Sequence, residues 1–272
     1  MKATILVDNY VPNKYDLLGE PSFSCLIEDE QCKLLFDVGM SAIPFINAKR
    51  LKKDLTGVSH IVLSHGHLDH SWGLENYITR YKPNKKVKLV CHPEALYRKK
   101  YKRINIGIKR DEKHLEEHFE IVRTQKPYWI TEKIVFLGEI ERKNDFEGKE
   151  PIGKTKHGNR YEPDYCIDDS AIAIDSLQGI VVVTGCSHSG ICNIIEYAKK
   201  VIGKEKVRYV VGGFHLQSDD ETNEVLNKTV ECLQRMHIEM VYPCHCTNLL
   251  GKLKISKAMS FGEVGVGSVL EL

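Results

Sequence analysis

Short apolar runs separated by turn-forming residues open the chain. Residues 3–7, 22–27 and 34–37 read as strands, with Gly39 ending the third. Residues 41–55 predict a helix, because Ile43, Phe45, Ile46 and Leu51 fall on one face. A short buried strand at 58–63 then runs straight into Ser64-His65-Gly66-His67-Leu68-Asp69-His70. The second half repeats the style. Residues 171–174 and 180–184 predict a strand pair around Leu177-Gln178-Gly179, followed by a helix at 191–202, a strand at 207–211 and a helix at 223–237. A strand at 240–242, a helix at 249–259 and a strand at 264–272 complete the series. Alternating strands and helices predict an α/β protein, and the hairpin-like pairs make its sheets mixed. Internal repeats, low-complexity tracts and long Pro/Gly/Ser linkers are absent, so residues 1–272 are expected to form a single domain.

The middle of the chain departs from this pattern. Residues 98–110 hold seven Lys or Arg and no acid, residues 111–120 hold five acids, and 141–162 is polar and rich in Lys, Glu and Gly. Two readings stand. One is a solvated helical excursion followed by a long loop; the other is a charged insertion or lid over about 97–165 whose basic run attracts an anionic substrate. Tyr97 and Tyr101 are interleaved with the cations, but no nucleic-acid-binding motif accompanies them, so nucleic acid is not the expected partner.

Composition narrows the class further. The 272 residues are 42% hydrophobic and 28% charged with a formal net charge of +2, which excludes a disordered chain and a general polyanion binder. Runs of the 18 to 20 apolar residues needed for a membrane span are absent, and Asp8 and Asn9 cut off the first apolar run before a secretory segment forms. A soluble, cytoplasmic protein without a membrane partner is therefore expected. Its nine cysteines, at 25, 32, 91, 166, 186, 192, 232, 244 and 246, are odd in number and include no Cys-x-x-Cys pair, so free thiols are expected.

The chemistry concentrates at residues 64–70, where His65, His67, Asp69 and His70 place four donors within six positions at the end of an apolar strand. His65 and His67 can point to one side of an extended segment and share one divalent ion, with Gly66 relieving the crowding between them. Asp69 and His70, beyond the bend, can face a second ion. Neutral imidazole nitrogen with carboxylate oxygen suits zinc, iron or manganese. Three more histidines stand at strand ends beside small residues: His188 in Thr-Gly-Cys-Ser-His-Ser-Gly, His215 in Gly-Gly-Phe-His-Leu, and His245 in Pro-Cys-His-Cys-Thr-Asn. Cys244 and Cys246 flank His245, and strand alternation predicts that both thiols point away from it, behind the site.

The His65-x-His67-x-Asp69-His70 signature resembles that of the metallo-β-lactamase superfamily, and Leu34-Leu35-Phe36-Asp37-Val38-Gly39 resembles its opening strand and Asp-x-Gly turn. The blocks around His188, His215 and His245 are similar to a branch labelled metal-dependent hydrolases. Some archaeal members of that branch are assigned as dihydropterin–ribofuranosylaminobenzene-phosphate synthases. The resemblance implies a four-layer αββα sandwich of two mixed β-sheets over essentially the whole chain. It implies one or two divalent metal ions, zinc foremost, with His65 and His67 on the first, Asp69 and His70 on the second, and His245 completing the second site.

At Gly185-Cys186 the sequence departs from the Gly-Asp whose carboxylate bridges both metals in many members. Either the Cys186 thiolate replaces that bridge, or His188 completes the first site and no bridge exists; imidazole is the better match to the expected site. Asp168 and Asp169 are alternative donors, although acidic residues just before a strand commonly serve as turns.

The expected chemistry is a metal-activated water attacking a small anionic, phosphorylated substrate. Asp69 orients the nucleophile, and His215 acts as general acid or substrate contact. The branch resemblance implies a competing transferase, joining a dihydropterin diphosphate to an arylamine ribose phosphate. A non-catalytic metal-binding or redox protein is the third reading.

Overall fold

The computed structural model describes residues 1–13, 16–81 and 86–272. Two sheets carry the fold. The N-terminal sheet orders its strands Val269–Glu271, Lys2–Val7, Ser24–Glu28, Lys33–Phe36, His60–Val62, Val87–Cys91 and Phe119–Arg123. Its first four are antiparallel to their neighbours and its last four run parallel. The C-terminal sheet is ordered Met240–Cys244, Val207–Gly213, Gly179–Thr184, Ala171–Ser176, Ile134–Phe136 and Tyr128–Trp129. It too passes from parallel to antiparallel pairing.

Strand alternation assigns each side chain to a layer. Leu34 and Phe36 point inward and meet Ile172, Ile174, Val181 and Val183 of the opposite sheet, forming the core between the sheets. Leu35, one residue out of phase, packs outward with Phe45 and Tyr77 of helices Ile43–Arg50 and Leu74–Tyr81. On the other side Ile180 and Val182 pack against Ile191, Ile194 and Ile195 of helix Ile191–Ile202, and against Leu226 and Leu233 of helix Glu224–Arg235. Three apolar layers separating helix, sheet, sheet and helix make the expected αββα sandwich. Among the described residues, none of the helices is long and apolar enough to cross a membrane.

The middle segment differs from a solvated helical excursion. Lys99–Tyr101 and Ile104–Asn105 are strands, and with Lys154–His157 and Arg160–Pro163 they form a small antiparallel sheet; the helix is confined to Glu112–His118. Lys99 is not solvated at all. Its Nζ is fully buried, 2.9 Å from Asp164 and 2.8 Å from Asp168. A lysine in that place is held charged by two carboxylates, which pull the segment inward where a run of cations suggests an exposed face.

The final strand is also shorter than the 264–272 run. It begins at Val269, because Val266 N–H donates to Tyr10 O and a turn at Gly265–Ser268 intervenes.

Candidate metal centre

The cluster lies at the carboxyl ends of the parallel strands, where α/β sheets display their chemistry. His65, His67, Asp69 and His70 follow strand His60–Val62. Cys186 and His188 follow Gly179–Thr184, His215 follows Val207–Gly213, and His245 follows Met240–Cys244. Donors that lie more than a hundred residues apart in sequence are thus brought into one place.

Several overlapping donor groups form. Asp69, His70, Cys186 and His245 place ligand atoms within 4.8 Å of one another, as do His65, Cys186 and His188, and again His65, His67 and Asp69. Asp69 Oδ2 lies 3.4 Å from His70 Nε2 and 3.3 Å from His245 Nε2. Cys186 Sγ is 3.2 Å from His70 Nε2. The two alternatives for the departure at Gly185-Cys186 are therefore both present in space: His188 stands beside His65 and His67, with ring centroids 4.8 and 5.0 Å away, while Cys186 shares one group with His65 and His188 and another with Asp69, His70 and His245.

The surroundings aim these side chains. Ser64 Oγ is 2.9 Å from His65 Nδ1, Asp37 Oδ2 is 2.7 Å from His70 Nδ1, and Asn9 Oδ1 is 2.9 Å from His245 Nδ1. With each Nδ1 engaged, the Nε2 atoms turn inward. Polar partners on the far nitrogen are the arrangement that orients imidazole ligands for a metal. Asp37 also accepts from Ser64 N–H and Ser64 Oγ–H, both at 2.7 Å, and so ties the loop to the strand before it. Asp8 Oδ1 accepts from His245 N–H at 2.7 Å. Gly66 has a role different from relieving the histidines: a Cβ there would meet Ala95 O at 2.2 Å.

His65 Nε2 and both ring nitrogens of His188 are buried without a hydrogen-bond partner among the described residues. Such orphaned lone pairs are costly unless a cation fills the space between them. Burial, then the neighbouring histidines, hold His65 well below the usual imidazole range. Burial and then Lys99 push His67 down to about 4. Burial and then His215 hold His188 well below that range. All three are neutral, as metal ligands must be. His70 goes the other way: burial opposes its charge, but the Asp69 and Asp37 carboxylates outweigh it and raise the pKa well above normal. Burial and then Cys246 push the Cys186 thiol up. The donor set of nitrogen, carboxylate oxygen and sulfur fits zinc or iron.

The cluster forms the floor of a cavity of about 920 Å³. Tyr101 of the small sheet, Ile106 just beyond it, Ile152, Tyr10 and Lys252 are among the residues that line it. His215 is exposed to this cavity, its ring centroid 4.5 Å from that of His188. Arg98, Lys100, Arg103 and Lys109 line a different cavity; among the described residues, Lys252 is the one Lys or Arg that lines the cavity above the cluster. Cys246 is a correction to the alternation argument. His245 adopts a left-handed φ of 48°, which breaks the strand, so Cys246 lines the cavity while Cys244 alone packs into the core between the sheets. Asp168 is not a free donor, since it accepts from Gly66 N–H and Lys99. Asp169 Oδ2 accepts from Ser189 N–H and Oγ–H, while its Oδ1 is buried without a hydrogen-bond partner among the described residues; neither aspartate falls within a donor group.

Sequence reasoning passed over Cys166, Asp8, Asn9, Lys99 and Lys252. Asp8 and Asn9 carried a local signal, a polar pair ending an apolar strand. The others carried none that does not depend on partners far along the chain.

Comparison with known proteins agrees with this geometry. A family model described as the metallo-beta-lactamase superfamily matches residues 17–245. An uncharacterized protein of Methanocaldococcus jannaschii is 33% identical over 267 residues, 98% of each chain. The 7,8-dihydropterin-6-methyl-4-(beta-D-ribofuranosyl)-aminobenzene-5'-phosphate synthase of the same organism is 30% identical over 264 residues, 91% of this chain and 87% of that protein. The crystal structure of Tm1679, described as a metal-dependent hydrolase of the beta-lactamase superfamily, superimposes with a TM-score of 0.85 at 26% identity. It covers 100% of this chain and 99% of that one. A match spanning both sheets and the histidine loops, with relatives aligned nearly end to end, places the chain in the metallo-β-lactamase superfamily, within the metal-dependent hydrolase branch that includes the dihydropterin–ribofuranosylaminobenzene-phosphate synthase-like proteins.

Proposed function

We propose that the chain is a metal-dependent hydrolase of an anionic, phosphorylated small molecule. The observation that carries this reading is the ring of inward-facing, partnerless histidine nitrogens on the floor of a cavity large enough for a metabolite. His65, His67 and His188 would hold the first divalent ion, and Asp69, His70 and His245 the second, with Cys186 within reach of both groups. Zinc is the favoured ion. When bound, the ions supply Lewis-acid polarisation of a substrate oxygen and activation of water.

The chain's own residues do the rest. Asp69 accepts a proton-bearing nucleophile at its free carboxylate oxygen and orients it. An imidazole nitrogen of His215 delivers a proton to the leaving oxygen, a role supported by its exposure beside His188. Lys252 draws the anionic group into the cavity. Tyr101, Ile106 and Ile152 exclude water from one side, so the 97–165 segment acts as a wall or lid through its apolar residues, with its cations turned elsewhere. The chain acts in the cytoplasm on a diffusible substrate.

A second reading has its own support. A smaller cavity of about 420 Å³ shares Ile152, His188 and His215 with the large one, giving room for two reactants side by side. Together with the 30% identity to a synthase, this supports a transferase joining a dihydropterin diphosphate to an arylamine ribose phosphate.

The test is elemental analysis of protein purified without chelator, with His67→Ala, His188→Ala and Cys186→Ala alongside, followed by two assays on metal-loaded protein. Release of phosphate from small phosphoesters supports the hydrolase, whereas coupling of the two substrates without net hydrolysis supports the transferase. Full metal content and turnover in His67→Ala would sink both.

A further inference from the structure

Cys166 has no assigned part in the site, yet it lies beside His67 and His188. It sits between strand Arg160–Pro163 and Asp168, in a left-handed conformation with φ of 49° that a non-glycine residue rarely adopts. Several contacts enforce that conformation. Cys166 N–H donates to Asp164 Oδ1 at 2.9 Å, and its carbonyl accepts from Arg142 at 2.8 Å and from Asp169 N–H at 3.0 Å. Asp164 is itself fixed by buried Lys99. The backbone is therefore held in an unfavourable region by a rigid ion-paired frame, and strain of this kind concentrates where a side chain must be aimed.

The frame aims the thiol at imidazoles. Cys166 Sγ lies 3.9 Å from His67 Nε2, and the ligand atoms of His67, Cys166 and His188 fall within 4.8 Å of one another. Cys166 is 1% exposed, and the neighbouring His188 is 92% buried with neither ring nitrogen partnered among the described residues. A buried cysteine that only fills space faces hydrocarbon; this one lies beside two nitrogen donors, His67 and His188, with Asp164 O at 4.0 Å as its other polar neighbour.

We propose that Cys166 is a protein ligand on the outer side of the first metal position. That position would then be nitrogen and sulfur in character, with a thiolate joining His67 and His188. A soft donor there selects zinc or ferrous iron over manganese or magnesium. The inference rests on the proposed function's reading of the cluster as a metal site.

The test uses cobalt(II) as a spectroscopic substitute in the full-length protein. Thiolate ligation gives a near-ultraviolet sulfur-to-cobalt charge-transfer band, whereas the visible cobalt bands report occupancy alone. Cys166→Ser is expected to lose part of the charge-transfer intensity and Cys186→Ser the remainder. Competition with a chromophoric chelator should show Cys166→Ser weakening one site at least tenfold. In wild type, the charge-transfer intensity per bound cobalt counts the thiolate ligands, two if Cys166 and Cys186 both ligate, a reading that needs no variant to fold. Unchanged charge transfer and affinity in Cys166→Ser, or a wild-type intensity matching one thiolate, would overturn the proposal. Loss of the visible bands in His67→Ala but not in Cys166→Ser would keep the metal site and reject only Cys166. Failure of wild type to bind cobalt at all would reject both.

Discussion

Replacing Lys99 by Met removes the one cation between two buried carboxylates. Asp164 and Asp168 are each within 3 Å of Nζ, at 2.9 and 2.8 Å, and both are buried. Leaving such charges unpaired costs about 3–5 kcal/mol. For 272 residues, an unfolding entropy of about 2.1 cal/mol/K per residue converts this to a fall in Tm of ~5–9 °C. The neighbouring Lys100 is the control. Its Nζ lies 3.8 Å from the Tyr161 ring centroid without a carboxylate partner among the described residues, so Lys100→Met should cost at most ~1 kcal/mol, or ~2 °C.

The pH dependence has a definite sign. Burial lowers the Lys99 pKa, but Asp168 and Asp164 outweigh it, and the net shift is upward. A raised native pKa gives stability that is fully present below the unfolded value, ~10.4, and is lost only as pH rises through the native one. The difference between wild type and Lys99→Met should therefore be flat from about pH 6 to 9. Thermal unfolding followed by circular dichroism measures it. A Lys99→Met protein within 2 °C of wild type, or no less stable than Lys100→Met, would refute the claim that this ion triad holds the small sheet to the site.

Four further outcomes are expected. Asp37→Asn, which keeps shape but removes the charge facing His70, should weaken metal binding about 10–100-fold in a chelator competition. Gly66→Ala places a Cβ 2.2 Å from Ala95 O, a contact that backbone must move to relieve, so both Tm and metal content should fall. Lys252→Gln should raise KM for an anionic substrate about tenfold, ~1.4 kcal/mol, and flatten its dependence on salt. Stripping metal with a chelator should lower Tm by about 5 °C, which is ~2.7 kcal/mol if metal had stood at a hundred times its Kd, with recovery on adding zinc.

Legibility in the sequence followed the range of the interactions involved. Helix Ile191–Ile202 coincides with its expected span, because its apolar period lies within the segment and Gly203 ends it in a left-handed turn. The hairpin at Ala171–Ser176 and Gly179–Thr184 was equally local. The small sheet was not. Its strands are two to four residues long and mostly polar on their surface, and its two hairpins are joined to each other across some fifty residues, as Lys99 with Thr155. Neither period nor burial marks such strands, and a run of seven cations points toward solvent until Asp164 and Asp168 arrive.

The same division runs through the site. His65, His67, Asp69 and His70 were legible because one loop must hold all four. His188, His215 and His245 were legible from strand-end contexts, and the structure brings each to the cluster. What escaped was the frame: Asn9 on His245, and Lys99 with its carboxylates behind Gly66 and Cys166. Metal donors are chosen by element and can be recognised by type, whereas the groups that aim them need only a hydrogen bond of the right sense. Many residues supply one, so their identity is fixed by position in space. The orphaned nitrogens of His188 make the point physically. A histidine at a strand end is ordinary, but one buried with neither nitrogen satisfied is stable only if something outside the chain completes it.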